Sequence, residues 1–241
     1  GAEDGVYLAG GHTLLPSMKQ RLASPTDVID LAGIGGLSGI EDVDAVLEIG
    51  ALTAHDEVAT SSVVQSEIPA LAELASLIGD AQVRNRGTIG GSVSNSDPAA
   101  DYPAGVLGLG AEIVTNKRSI AADDFFTAMF ETALEEGELL TKIKFPKPEA
   151  AAYVKFPNPA SRYATVGVFI AQTGSGVRVA ITGAAPSVFR STDMEAALNG
   201  EFSVEALEGI TLDAGEMNSD LHATAEYRAH LCTVMAKRAV R

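Results

Sequence analysis

The chain has 241 residues, 17 Lys and Arg against 32 Asp and Glu, a formal net charge of −15, and 46% apolar residues. That is globular composition with material for one large domain or two modest ones, and its acidity argues against nucleic acid or an anionic lipid surface as partner, since phosphate binding rests on clustered Lys and Arg. The lone cysteine, Cys232, excludes an internal disulfide and a thiolate-ligated cluster or zinc finger, and no apolar run approaches the ~20 residues of a membrane span.

Val6 to Ala9 read as a strand feeding the doublet Gly10-Gly11. A helix over 13–22 follows, with Leu14, Leu15, Met18 and Leu22 in phase and Pro16 in its first turn, and then a strand over 28–31. Residues 37–53 read as strands, 45–51 most clearly, and His55 to Thr60 as one helical turn. Ser66 is expected to cap a helix whose stripe is Ile68, Leu71, Leu74, Ala75 and Ile78, with Gly79 closing it. A helix is expected to open at Asp97, with Pro98 as its first residue, and run toward Leu107. A strand over 111–115, a short helix opened by Asp123-Asp124 and reaching Met129, and a strand over 139–145 follow. Lys147-Pro148-Glu149 marks a boundary. Beyond it come strands over 152–156, 164–172 and 177–182, the last two joined at Gly174-Ser175-Gly176, and then helices over 191–198, 204–209 and about 219–240.

Few residues offer chemistry. Gly33-Ile34-Gly35-Gly36-Leu37-Ser38 has Ser38 where a dinucleotide fingerprint needs its third glycine, and strand follows where a helix should. There is no Gly-Lys-Ser/Thr triplet, no G-x-S-x-G elbow, and no Cys or carboxylate set to complete a metal site around His12, His55, His222 or His230. Two constellations remain: Ala9-Gly10-Gly11-His12-Thr13-Leu14-Leu15-Pro16, and Arg84-Asn85-Arg86-Gly87-Thr88-Ile89-Gly90-Gly91-Ser92 followed by Asp97-Pro98-Ala99-Ala100-Asp101. Glycines between strand and helix let backbone N–H groups approach an anion without obstruction from a Cβ. Two such cradles fit a dinucleotide held at its pyrophosphate, with Asp101 accepting from sugar hydroxyls; ordinary turns remain the alternative reading.

These two motifs, with Tyr153-Val154-Lys155-Phe156 and Ser161-Arg162-Tyr163-Ala164, resemble the FAD-binding medium subunit of molybdenum hydroxylases, above all that of aerobic carbon monoxide dehydrogenases, over nearly the whole chain. The resemblance implies an α+β protein. A vanillyl-alcohol-oxidase-type FAD domain of two α/β subdomains would occupy 1–147, and a C-terminal α+β domain, a three-stranded antiparallel sheet with helices, 148–241. It implies that Ala9, Gly10, Gly11, His12 and Thr13, with Thr88, Ile89, Gly90, Gly91 and Ser92, hold the pyrophosphate and its neighbours. Asp101 would lie beside the FAD, Ile78, Leu140 and Lys155 would line the flavin, and Tyr163 would approach the isoalloxazine ring. It further implies a cytoplasmic electron-transfer subunit in a dimer of heterotrimers. A small subunit would carry [2Fe–2S] clusters, a large one the molybdenum cofactor, and a quinone, NAD or another acceptor would receive the electrons, so this chain itself needs no catalytic acid or base. Members of the family begin about one strand-plus-helix unit earlier, and many have Asn or Asp at the position of Ser92. A free-standing FAD reductase or oxidase on the same fold is the alternative, and a scaffold with a decayed flavin site a third.

Overall fold

The computed structural model describes residues 5–241. β1 (Gly5–Leu8) pairs in parallel with β2 (Asp27–Asp30), Gly5 opposite Asp27, across α1 (Leu14–Lys19). The helix stops short of the expected residue 22 because Arg21 takes a left-handed conformation, φ 61°. β3 (Ile40–Val43) and β4 (Val46–Gly50) form a hairpin turned at Asp44, φ 53°.

Three short helices follow: α2 (His55–Thr60), α3 (Ser62–Glu67) and α4 (Pro69–Ser76). The expected cap at Ser66 is wrong, because Ser66 lies inside α3, whose cap is Ser61. Pro69 sets the start of α4, since a proline disfavours helical backbone at the residue before it, and Ile68 sits at φ −140°. The apolar stripe itself is real: α4 buries Ala70, Leu71, Ala72, Leu74 and Ala75.

α5 (Ala81–Arg84), α6 (Ile89–Asn95) and α7 (Tyr102–Gly108) come next. The helix expected from Asp97 therefore begins at Tyr102. The Asp97 carboxylate accepts from Ala99 N at 2.9 Å, closing residues 97–100 into a turn that competes with helix. β5 (Glu112–Thr115), β6 (Ser119–Ala121), α8 (Ala122–Phe125), β7 (Phe126–Ala128), β8 (Glu131–Thr132) and β9 (Leu140–Pro146) follow. The short helix thus ends at Phe125 rather than reaching Met129, and the chain turns into the β7–β8 hairpin. The sheet order is β3-β4-β9-β5-β6, with every pair antiparallel.

After residue 149 come β10 (Ala150–Pro157), β11 (Ala164–Thr173), β12 (Gly176–Thr182), β13 (Phe189–Arg190), α9 (Thr192–Gly200), two 3-10 turns and α10 (Ala225–Ala239). The sheet has four strands, not three. β13, a two-residue edge strand against Ala180 and Ile181, is too short to show a period in sequence. The last helix starts at its Thr224 cap, and the helix expected over 204–209 is a 3-10 turn at Glu205–Leu207.

This second sheet is covered on both faces. Phe169 and Ala171 of β11 join the core of the first domain, while Val166, Val168 and Ile170, alternating with them, join the core under α9 and α10. β11 is buried over eight successive residues for that reason. On the first-domain side α7 comes close: a Cβ on Gly108 would stand 2.8 Å from Phe169 Cδ1.

Candidate functional site

The two glycine motifs, far apart in sequence, meet. A Cβ on Gly10 would lie 2.1 Å from the carbonyl oxygen of Arg86 and 2.8 Å from Gly87 Cα, and one on Gly91 would lie 3.7 Å from Ala9 Cβ. Gly10 is therefore required by the contact between loops, and Gly11 by its backbone, φ 76°.

The two loops differ in what they leave available. The second is fastened to the segment after β4: Ile89 N donates to Thr53 O at 3.0 Å, Gly90 N to Ala51 O at 2.8 Å, and His55 N to Gly87 O at 3.0 Å. Gly91 N donates to Thr88 Oγ1 at 3.2 Å and Ser92 N to Thr88 O at 3.0 Å, so most of its donors are spent internally. In the first loop, no described residue accepts from the N–H groups of Gly10, Gly11, His12 or Thr13. Four consecutive uncommitted donors beside a close glycine contact suit the oxygens of a pyrophosphate. His12 and Thr13 are exposed, and the half-buried hydroxyl of Ser92 has no partner among the described residues. Arg84 has partners in its own neighbourhood, donating to Ile78 O at 3.1 Å and pairing with Asp56 at 3.7 Å.

A second cluster joins the two domains. The Asp101 carboxylate accepts from Tyr153 Oη at Oδ1 and from Lys155 Nζ at Oδ2, 2.9 Å, and Lys155 Nζ also donates to Leu77 O at 3.1 Å. Burial pushes the Asp101 carboxyl up from its ordinary range, against the pull of the Lys155 charge and the two hydrogen bonds. Burial and the Asp101 charge raise the Tyr153 hydroxyl well above the usual phenol value, so it stays a donor. The turn leading to Asp101 is clamped by the C-terminal sheet: Thr182 Oγ1 donates to Ala100 O at 2.6 Å, Gly183 N to Pro98 O at 2.7 Å, and Ala164 N to Ala99 O at 3.2 Å.

The remaining expected residues separate. Ile78 follows the Leu77 carbonyl that holds Lys155, and its side chain packs against the first-domain core. Leu140 is 2% exposed and packs in the core with Ile89. Tyr163 is 48% exposed, at the rim of a cavity of about 290 Å³ that Asp97, Phe130 and Arg228 also line. Tyr153 had a signal in sequence: two residues before Lys155 on a strand, it shares the face of Lys155. His55, buried against Gly87 and near Tyr102, had none, because only the fold brings residue 55 under the second loop. Among the described residues no three His, Cys, Asp or Glu side chains are grouped to hold a metal, and no helix is long and apolar enough to cross a membrane.

Residues 2–148 match the family model of the FAD binding domain in molybdopterin dehydrogenase, and residues 151–241 that of the CO dehydrogenase flavoprotein C-terminal domain. The chain is similar to the carbon monoxide dehydrogenase medium chain of Hydrogenophaga pseudoflava, 37% identical across 98% of this chain and 88% of that one. It is similar to the nicotine 6-hydroxylase medium subunit of Paenarthrobacter nicotinovorans, 35% identical across 99% and 89% of the two chains. Among solved structures it resembles reconstituted CO dehydrogenase from Oligotropha carboxidovorans, with a TM-score of 0.91 at 35% identity, covering 99% of this chain and 89% of that one.

Proposed function

The chain belongs to the FAD-binding medium-subunit family of the molybdenum hydroxylases, an oxidoreductase family, and from that premise we propose that it is the cytoplasmic electron-transfer subunit of a carbon monoxide dehydrogenase-like complex. FAD, when bound, supplies the redox chemistry, exchanging electrons with [2Fe–2S] clusters on a small subunit and with an acceptor such as a quinone or NAD. A large subunit with the molybdenum cofactor selects and oxidises the substrate, in a dimer of heterotrimers.

The work of this chain is to hold and orient the flavin cofactor. The observation behind this reading is the junction of the two glycine loops, with four N–H groups, those of Gly10, Gly11, His12 and Thr13, that have no acceptor among the described residues. In this reading those groups and the Ser92 hydroxyl hold the pyrophosphate region, while Thr88, Ile89, Gly90 and Gly91 build the wall that faces it. Asp101, Lys155 and Ile78 stand together at the flavin end, Tyr163 covers the ring from the C-terminal domain, and Leu140 supports the wall from within the core. The boundary is placed at 147/148, with the vanillyl-alcohol-oxidase-type pair of subdomains before it.

The test is Gly10→Val in the complex as purified with its genomic neighbours, with acid-released cofactor quantified by chromatography. Wild type should carry one FAD per medium chain, and the variant should lose it while keeping its circular dichroism. Undiminished FAD in a folded variant would remove the site assignment, and FAD without iron or molybdenum in the wild type would point to a free-standing flavoenzyme.

A further inference from the structure

We infer that Tyr153 is a positioning residue of the flavin site: its hydroxyl, seated in the space Gly167 leaves, fixes Asp101 and, through Lys155, the Leu77–Ile78 loop, so that both segments meet the cofactor preset. The inference rests on the flavin-site reading above.

Tyr153 is 2% exposed, yet its hydroxyl points at a carboxylate and not into the apolar core. With Lys155 on the other oxygen, both oxygens of Asp101 are engaged by strand β10. Lys155 spends a second N–H on the Leu77 carbonyl, so of the three donors of its ammonium one is left over. The side chains of Lys155 and Asp101 are only 3% and 5% exposed. A buried ion pair is retained at a net gain only when geometry and further hydrogen bonds hold both charges. Tyr153 supplies that further bond on the carboxylate side.

The opposite strand is built around this hydroxyl. A Cβ on Gly167 of β11 would stand 2.3 Å from Tyr153 Oη. Gly167 is not among the positive-φ glycines, so the position asks for glycine because of the space and not the backbone. The hydroxyl thus ties the C-terminal sheet to the turn over 97–101, and Lys155 on the same Asp101 carboxylate carries the link on to the Leu77 carbonyl after α4.

The experiment is a fluorescence titration of the flavin-stripped full chain with FAD, alongside its thermal midpoint and the visible circular dichroism of bound FAD. Tyr153→Phe should raise the Kd about tenfold, equivalent to about 1.4 kcal/mol, and change the dichroism of the flavin bands. Val168→Ala, on the other face of the same sheet, should lower the thermal midpoint and leave the Kd unchanged. Gly167→Ala, which keeps every polar group but displaces the hydroxyl, should raise the Kd in the same direction and decides the matter if Tyr153→Phe does not fold. An unchanged Kd and dichroism in a folded Tyr153→Phe or Gly167→Ala, with wild type binding FAD, overturns the role of Tyr153 alone. Failure of the wild type to bind FAD overturns the flavin-site reading beneath it.

Discussion

His55 shows how a single side chain can be neutralised by its place in the fold. Burial, with His12 and Arg84 as nearby like charges, lowers its imidazole from 6.5 to about 4, and its Nδ1 has no partner. The neutral form is the one the fold prefers, so its stabilising contribution is complete above pH 6.5 and is lost as the pH falls toward 4. The loss is on the order of 3 kcal/mol over that window. Urea midpoints of wild type and His55→Gln at pH 7 and pH 4.5 should show a smaller acid-induced drop in the variant. Equal drops would mean that carboxylates alone account for acid sensitivity. Sequence showed a lone histidine at the start of a helical turn. The carbonyl of Gly87 above its backbone and the ring of Tyr102 5.3 Å away come from distant segments.

At the scale of elements, α7 is the seam between the domains. Its glycines leave room for neighbours: a Cβ on Gly105 would stand 3.1 Å from Leu74 Cδ1, and one on Gly108 2.8 Å from Phe169. Gly108→Val should destabilise the chain by about 2 kcal/mol, because overpacking a closed contact outweighs the helix propensity gained over glycine. A shift in the guanidinium midpoint at constant slope is the expected record, and an unchanged midpoint would show that the seam can open at no cost. The strands β4, β5, β9, β10, β11 and β12 were all legible, because alternating or continuous apolar runs bounded by Gly, Pro or charged residues are local signals. The start of α7 was not. Asp97-Pro98 is a good helix opening by itself, but the Asp97 side chain closes a turn and the C-terminal sheet captures the carbonyls of Pro98, Ala99 and Ala100.

For the whole molecule, the core of the first domain extends past the boundary proposed near residue 147. Tyr153, Phe169, Ala171, Ala180 and Val188, all beyond it, belong to the core of the first domain. Arg178 ties the halves further, donating to Leu107 O at 2.8 Å and pairing with Asp123 at 2.9 Å. Calorimetry should therefore record one cooperative transition, and a chain ending at residue 147 should expose its core and fail to hold FAD. Two resolved transitions would show that the shared core is weaker than its burial implies.

By itself the sequence determined the order of most elements, the two glycine motifs and the family they mark, since periodicity, turn residues and short motifs act over a few neighbouring positions. Tertiary structure alone decided that Gly10 must touch Arg86, that the second loop spends most of its N–H groups while the first finds no acceptor for its own among the described residues, and that Asp101 faces Tyr153 and Lys155. Those outcomes depend on which donors distant backbone consumes and on where a missing Cβ lets two strands or loops approach. No window of neighbouring residues carries that information.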